Sequence, residues 1–229
     1  MFRCYHKKPV PVYTVLRVFK KDIFGEVQLV RLEGDNRMAV CRNFGRAVWL
    51  LRPLAARLAK REINFLQKLH TLAPGQLPEP IYYGSDISLR SYFDGAPLKD
   101  MPTVPPEFYE SALRLVKTIH NARVVHNDLE KPENWIVTNT GLPALVDFQI
   151  ALSLPFKRIF QMLAYEDIRH IYKQKKRYCP LALTEEENEI LERRSALGRW
   201  WKKYFKPLYN FVTRRLLHYS DGAHSRYSR

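Results

Sequence analysis

The stretch that most constrains this chain is VVHNDLEKPEN at 124–134, followed thirteen residues after its final asparagine by Asp147-Phe148-Gln149. Two apolar runs, WIVT at 135–138 and ALVDF at 144–148, read as buried strands, and a turn at Thr140–Gly141 separates them. A loop carrying His126, Asn127, Asp128, Lys131, Glu133 and Asn134 is therefore held between buried elements. A fold must exist around it that makes such polarity tolerable.

The flanking sequence supplies one. From Tyr13 to Asn43 the chain alternates β-branched and polar residues and turns at Gly34-Asp35-Asn36, which predicts a small antiparallel sheet. LRPLAARLAKREINFLQKLH predicts a helix with Pro53 in its first turn and Leu54, Leu58, Ile63, Phe65, Leu66 and Leu69 as its apolar set. A strand follows at IYYG, another at SLRSYF ending in a turn at Asp94–Gly95, and a helix from Pro106 runs into the polar loop. Beyond Gln149 the chain reads as helical and basic, with a break at Tyr178-Cys179-Pro180 and a new helix after Thr184 that opens on three glutamates.

Composition narrows the partners. Lys and Arg outnumber Asp and Glu 38 to 23, a formal +15, which favours anionic ligands: phosphorylated substrates, an acidic membrane leaflet or, less favoured, nucleic acid. Cys4, Cys41 and Cys179 follow no metal-site spacing and read as reduced thiols. No run approaches the ~18 apolar residues of a membrane span, and MFRCYHKKPVPVY lacks the apolar core of a signal peptide, so the expectation is a cytoplasmic protein.

Two aspartates and an asparagine beside strand ends suit phosphoryl transfer. That reaction uses a carboxylate to orient and deprotonate a hydroxyl, and oxygen ligands to hold Mg²⁺ against nucleotide phosphates. The plainer alternative is a surface loop of Asx turns.

The order His126-x-Asp128-Leu129, Asn134, strand, turn, strand, Asp147-Phe148 resembles the catalytic and metal-binding segments of protein kinases. More narrowly, it is similar to bacterial kinase-like proteins related to the RIO-type serine/threonine kinases and the lipopolysaccharide core-sugar (Kdo/heptose) kinases, where HNDL loops and DFQ in place of DFG occur. The resemblance implies an α+β, two-lobed protein-kinase-like fold with a small antiparallel-sheet lobe and a reduced helical lobe. It divides the chain into an N-lobe at 1–92, a C-lobe at 93–195 and a basic amphipathic tail at 196–229. It implies Asp128 as catalytic base, with Lys131 countering phosphoryl charge and His126 organising the loop, ATP and Mg²⁺ as cofactors, and Asn134 and Asp147 as metal ligands.

The departures matter as much. The kinase pattern puts asparagine five residues after the aspartate, but Glu133 stands there and Asn134 one later, so either could be the ligand; Asn134 is favoured because Glu130-Lys131-Pro132 reads as an inserted bend. Only Gly25 remains of a glycine-rich loop, leaving Lys20 and Lys21 to supply charge to the nucleotide. Arg42 occupies the place of the nucleotide-facing lysine and is expected to pair with Glu62, and Gln149 replaces a glycine, which implies a more fixed metal site. The backbone of Arg90 to Phe93 would face a base.

Leu197, Trp201, Tyr204, Phe205, Leu208 and Phe211 lie among Lys202, Lys203, Lys206, Arg214 and Arg215, so residues 196–219 read as a basic amphipathic stretch suited to an anionic membrane surface. The resulting expectation is a kinase acting on a hydroxyl of a lipopolysaccharide core sugar at the inner face of the inner membrane. A RIO-like protein serine/threonine kinase is the alternative, and a nucleotide- or partner-binding pseudokinase is a third reading.

Overall fold

The computed structural model describes residues 9–193. Residues up to Thr184 form one compact unit, and those from Glu185 a second, of which α4 (Glu185–Glu192) is described. The expectations for Cys4 and for the tail at 196–229 lie outside the described residues.

The first unit has an α+β kinase-like architecture. Strands β1 (Tyr13–Asp22), β2 (Gly25–Leu32), β3 (Met38–Asn43), β4 (Pro80–Tyr83) and β5 (Ile87–Ser91) form an antiparallel sheet in the order β1-β2-β3-β5-β4. Gly25 at the β1–β2 turn has φ +115°, and a Cβ there would collide with the Asn43 carbonyl, so the turn requires glycine. Alternation buries Val30, Leu32, Ala39, Cys41 and Leu89 on one face. The opposite face carries Arg42, paired across strands with Val27 and Ser88, and Arg90, paired with Val40.

Helix α1 (Arg52–Leu69) starts at Arg52-Pro53, where proline's fixed φ suits a first turn. Its buried face is Ala55, Ala59, Glu62, Ile63, Leu66 and Leu69. Leu54, expected inside, is 45% exposed, and Leu58 and Phe65 are half-buried, because the alanines set the inward direction and bring the helix close to Phe44.

The larger core joins the lower half of α1 to α2 (Pro106–Asn121), α3 (Lys157–Tyr178) and the small sheet β6-β7-β8 (Gly95–Pro97, Trp135–Thr138, Pro143–Leu145). Phe108, Leu115, Ile119, Leu129, Trp135 and Phe148 are almost fully buried there, each worth roughly 1.5–3 kcal/mol of transfer free energy. β8 is shorter than the apolar run suggested and stops before Asp147, whose φ of +68° no strand can accommodate. Helix α2 ends with Arg123 at φ +60°, and Lys68 on α1 donates to the freed Ala122 carbonyl at 2.6 Å. That stop aims the chain into the polar loop. Among the described residues no helix is long and apolar enough to cross a membrane.

Candidate phosphotransfer site

The loop between α2 and β7 is anchored by a residue that sequence reasoning missed. Asp167 of α3, 1% exposed, accepts the backbone N–H of His126 at 2.8 Å and of Asn127 at 2.9 Å, and pairs with His120 Nε2 at 3.0 Å. A buried carboxylate with three donors is satisfied, and it holds the loop backbone, including Asn127 at φ +65°. The available signal was an acid within a basic helix, but its partners are backbone groups about 40 positions away.

His126 is fully buried. Its Nε2 donates to the Val146 carbonyl at 3.1 Å and its ring meets Phe148 edge-on with centroids 4.7 Å apart. It therefore ties the 126–134 loop to the Asp147 turn. A second tie is reciprocal: Val125 and Leu152 exchange backbone hydrogen bonds at 2.9 Å.

Asp128 follows. Its Oδ2 accepts from Lys131 Nζ at 2.7 Å and from Asn134 Nδ2 at 3.0 Å, while Nδ2 also reaches the Asp128 carbonyl at 3.0 Å. Oδ1 takes no protein hydrogen bond among the described residues. Partial desolvation pulls Lys131 down, but the bond to Asp128 and the negative charge of Asp128, Asp147 and Glu133 outweigh it and hold the ammonium above its ordinary range. Asn134 is buried in the turn Pro132–Asn134 with its amide nitrogen spent on Asp128, which leaves its oxygen available; Glu133 is exposed and bonded to neither aspartate.

Burial pushes Asp147 up, yet Arg42 foremost, then Arg90, His126 and Lys131, overcome it and hold the carboxyl below its usual range. The arginines come from the sheet. Arg42 Nε lies 3.6 Å from Glu62 Oε2 and Arg90 Nε lies 3.3 Å from Glu62 Oε1, with Glu62 3% exposed. Turned so that its amide oxygen faces Arg42, Gln149 lies 2.9 Å from Nε and 2.7 Å from Nη1. Arg42 thus joins α1 to the segment after Asp147.

Lys20 and Lys21, expected to supply charge to a nucleotide, pair with acids of their own hairpin. Lys20 pairs with Asp22 at 2.8 Å and Lys21 with Glu26 at 3.4 Å, within their own hairpin, and neither bonds to Arg42, Glu62, Asp128 or Asp147. The acids of a tight antiparallel turn are simply nearer. In the linker, Ser91 N donates to Glu79 and Tyr92 N to Met38, so those two amides are engaged; the Arg90 side chain, rather than its backbone, enters the site.

Among the described residues no three His, Cys, Asp or Glu side chains cluster as a metal cage. One ionised carboxylate at Asp147 and one amide oxygen at Asn134 still suit Mg²⁺, which takes one or two protein carboxylates and completes its shell with phosphates and water.

The sequence pattern of the RIO domain matches residues 42–188, a span that includes Arg42, Glu62 and the whole 126–149 region. The fold is similar to the Rio2 kinase from Chaetomium thermophilum, with a TM-score of 0.57 and 17% identity over 72% of this chain and 58% of that one. A second structure, the Rio2 kinase–ADP/Mg²⁺–phosphoaspartate complex from the same organism, gives a TM-score of 0.60 and 16% identity over 85% of this chain and 67% of that one. No curated protein sequence matches the chain.

Proposed function

The chain belongs to the RIO domain family, and on that premise we propose that it is an ATP- and Mg²⁺-dependent phosphotransferase that moves the γ-phosphoryl group to a hydroxyl. The observation that carries this reading is the arrangement of Asp128, with one oxygen held by Asn134 and Lys131 and the other without a hydrogen bond among the described residues. The free Oδ1 takes the proton of the acceptor hydroxyl, and the two donors on Oδ2 keep the carboxylate turned towards it. Lys131 balances charge on the transferring group. Arg42 and Arg90 place positive charge beside Asp147 and would offer it to the phosphates of a nucleotide, with Glu62 paired to both guanidinium groups. Asp147 and the Asn134 oxygen would hold Mg²⁺, which supplies charge neutralisation across the phosphates when bound. The ADP and Mg²⁺ of the Chaetomium complex support the same pair of cofactors here.

Family membership favours a serine or threonine hydroxyl of a protein as acceptor, ahead of the lipopolysaccharide core sugar that the sequence had placed first. The sugar reading stands second, supported by the resemblance of the HNDL and DFQ segments. The test is transfer of labelled γ-phosphate from Mg²⁺–ATP into a cell-envelope extract and a cytosolic extract, each separated into protein and glycolipid, with Asp128→Asn beside the wild type. Label in protein that the variant abolishes is the expected result. Label confined to glycolipid would reverse the order of acceptors. Mg²⁺-dependent nucleotide binding with no label in any fraction would favour a pseudokinase.

A further inference from the structure

The start of α1 is built inside out. Its inner positions are small: Ala47, Ala55 and Ala59 are buried and close with Phe44 into a compact core. The large apolar side chains stand outside, Trp49 at 77% exposure, Leu50 at 68%, Val48 at 48% and Leu54 at 45%. A helix start that faces only water reverses this order, with its apolar stripe towards the core.

The ridge is rigidly presented. Val48 N donates to the Ile23 carbonyl at 3.1 Å, tying it to the β1–β2 turn, while Leu51 N and Arg52 N both return to the Val48 carbonyl at 2.7 and 3.1 Å. Arg52 Nε adds a bond to the Ala47 carbonyl at 3.3 Å. Trp49 and Leu50 therefore project from a hydrogen-bonded turn, Trp49–Leu51.

Along the chain through the ridge, charge has one sign, although Asp86 lies against Gly45. From residue 46 to residue 61 the charged residues are Arg46, Arg52, Arg57, Lys60 and Arg61, with no acid among them. Arg46 reaches Glu26 at 3.5 Å and Arg61 is committed to the Ala151 carbonyl, but Arg52, Arg57 and Lys60 are exposed.

We infer that the Val48–Leu54 ridge is a membrane-contact element, seating Trp49 and Leu50 at the headgroup–acyl boundary of an anionic bilayer with Arg52, Arg57 and Lys60 against lipid phosphates. Tryptophan prefers that boundary, and arginine binds phosphate through paired donors. Four apolar side chains insert well as a wedge, whereas a stable protein interface uses about 20 to 30 residues a side. The contact is independent of the phosphotransfer reading.

The test uses the full chain with phosphatidylcholine vesicles, with and without phosphatidylglycerol. The wild type is expected to co-sediment with the anionic vesicles and less with the neutral ones. Trp49→Ser with Leu50→Ser is expected to weaken that partition at least about tenfold, and Arg52→Ser with Arg57→Ser to flatten its salt dependence. Brominated acyl chains are expected to quench the emission that separates the wild type from Trp49→Phe, a substitution that keeps the ridge apolar. No binding by the wild type, equal binding by the Ser variant, or no quenching of the Trp49 component would each overturn the inference. So would a wild-type dimer in sedimentation that the Ser variant loses while vesicle binding is unchanged, since the ridge would then be a contact between copies.

Discussion

Arg42 and Gln149 both depart from the protein-kinase pattern, and in the structure they face each other. A lysine at position 42 offers a point charge, whereas the guanidinium spreads several donors between Glu62 and the Gln149 amide. The two departures are therefore expected to be coupled: in a cycle of Arg42→Lys and Gln149→Gly, urea unfolding should give an interaction free energy of about 0.5–3 kcal/mol, and additive effects would dissolve the link. At Asp147, which takes no hydrogen bond among the described residues, the Asn variant is expected to lose the Mg²⁺-dependent part of nucleotide affinity and keep the Mg²⁺-independent part, as titration calorimetry with and without EDTA would read. The local order of His126, Asp128, Asn134 and Asp147 was legible because those residues lie on one short span between buried strands. Arg90 was not, since it enters the site only through the pairing of β5 with β3.

Helix α3 supports the loop rather than the reaction. Through Asp167 it holds the backbone of His126 and Asn127, and through Lys173 and Gln174 it holds the Glu130 side chain at 2.9 Å and the Glu130 carbonyl. Asp167→Asn replaces one acceptor oxygen by a donor facing donors, so a cost of about 1–3 kcal/mol in urea unfolding is expected, together with a fall in kcat larger than the change in KM for ATP. On the same helix, burial pushes His170 below the ordinary 6.5, the field of Glu130, Lys173, Glu166 and Asp167 modulating it, and its Nδ1 has no hydrogen-bond partner among the described residues. The unfolded chain then binds more protons there than the folded one, so stability is present above pH 6.5 and declines as pH falls towards the folded value. Thermal melts across that window should show the decline, and His170→Gln should lessen it; identical slopes would deny His170 the role. Apolar spacing announced α1, the start at Pro106 announced α2, and the break at Tyr178-Cys179-Pro180 marked the end of α3. Of the apolar set expected on α1, Ile63, Leu66 and Leu69 are buried, whereas Leu54, Leu58 and Phe65 are not, because Ala55 and Ala59 set the close approach to Phe44.

Across the whole first unit, the sheet contributes Arg42 and Arg90, α1 contributes Glu62, and the loops around the small sheet contribute Asp128, Asn134 and Asp147. A ligand that bridges these parts stabilises the folded chain by mass action, about 2.7 kcal/mol at a hundredfold excess over Kd. Mg²⁺–ATP is thus expected to raise Tm for the wild type and much less for Asp147→Asn. The two-part architecture could be read from a sheet-period region followed by a helical one. The hairpin pairing of Lys20 and Lys21 could not, because it depends on which acids the turn brings near.

The most direct measurement is turnover of Mg²⁺–ATP to ADP with an acceptor-containing extract, by wild type and Asp128→Asn, with nucleotide Kd determined on both. If Asp128 is the base, the variant loses at least about a hundredfold in rate while its Kd stays within a few-fold of wild type. Equal turnover by the two proteins would contradict the assignment of this site to phosphotransfer.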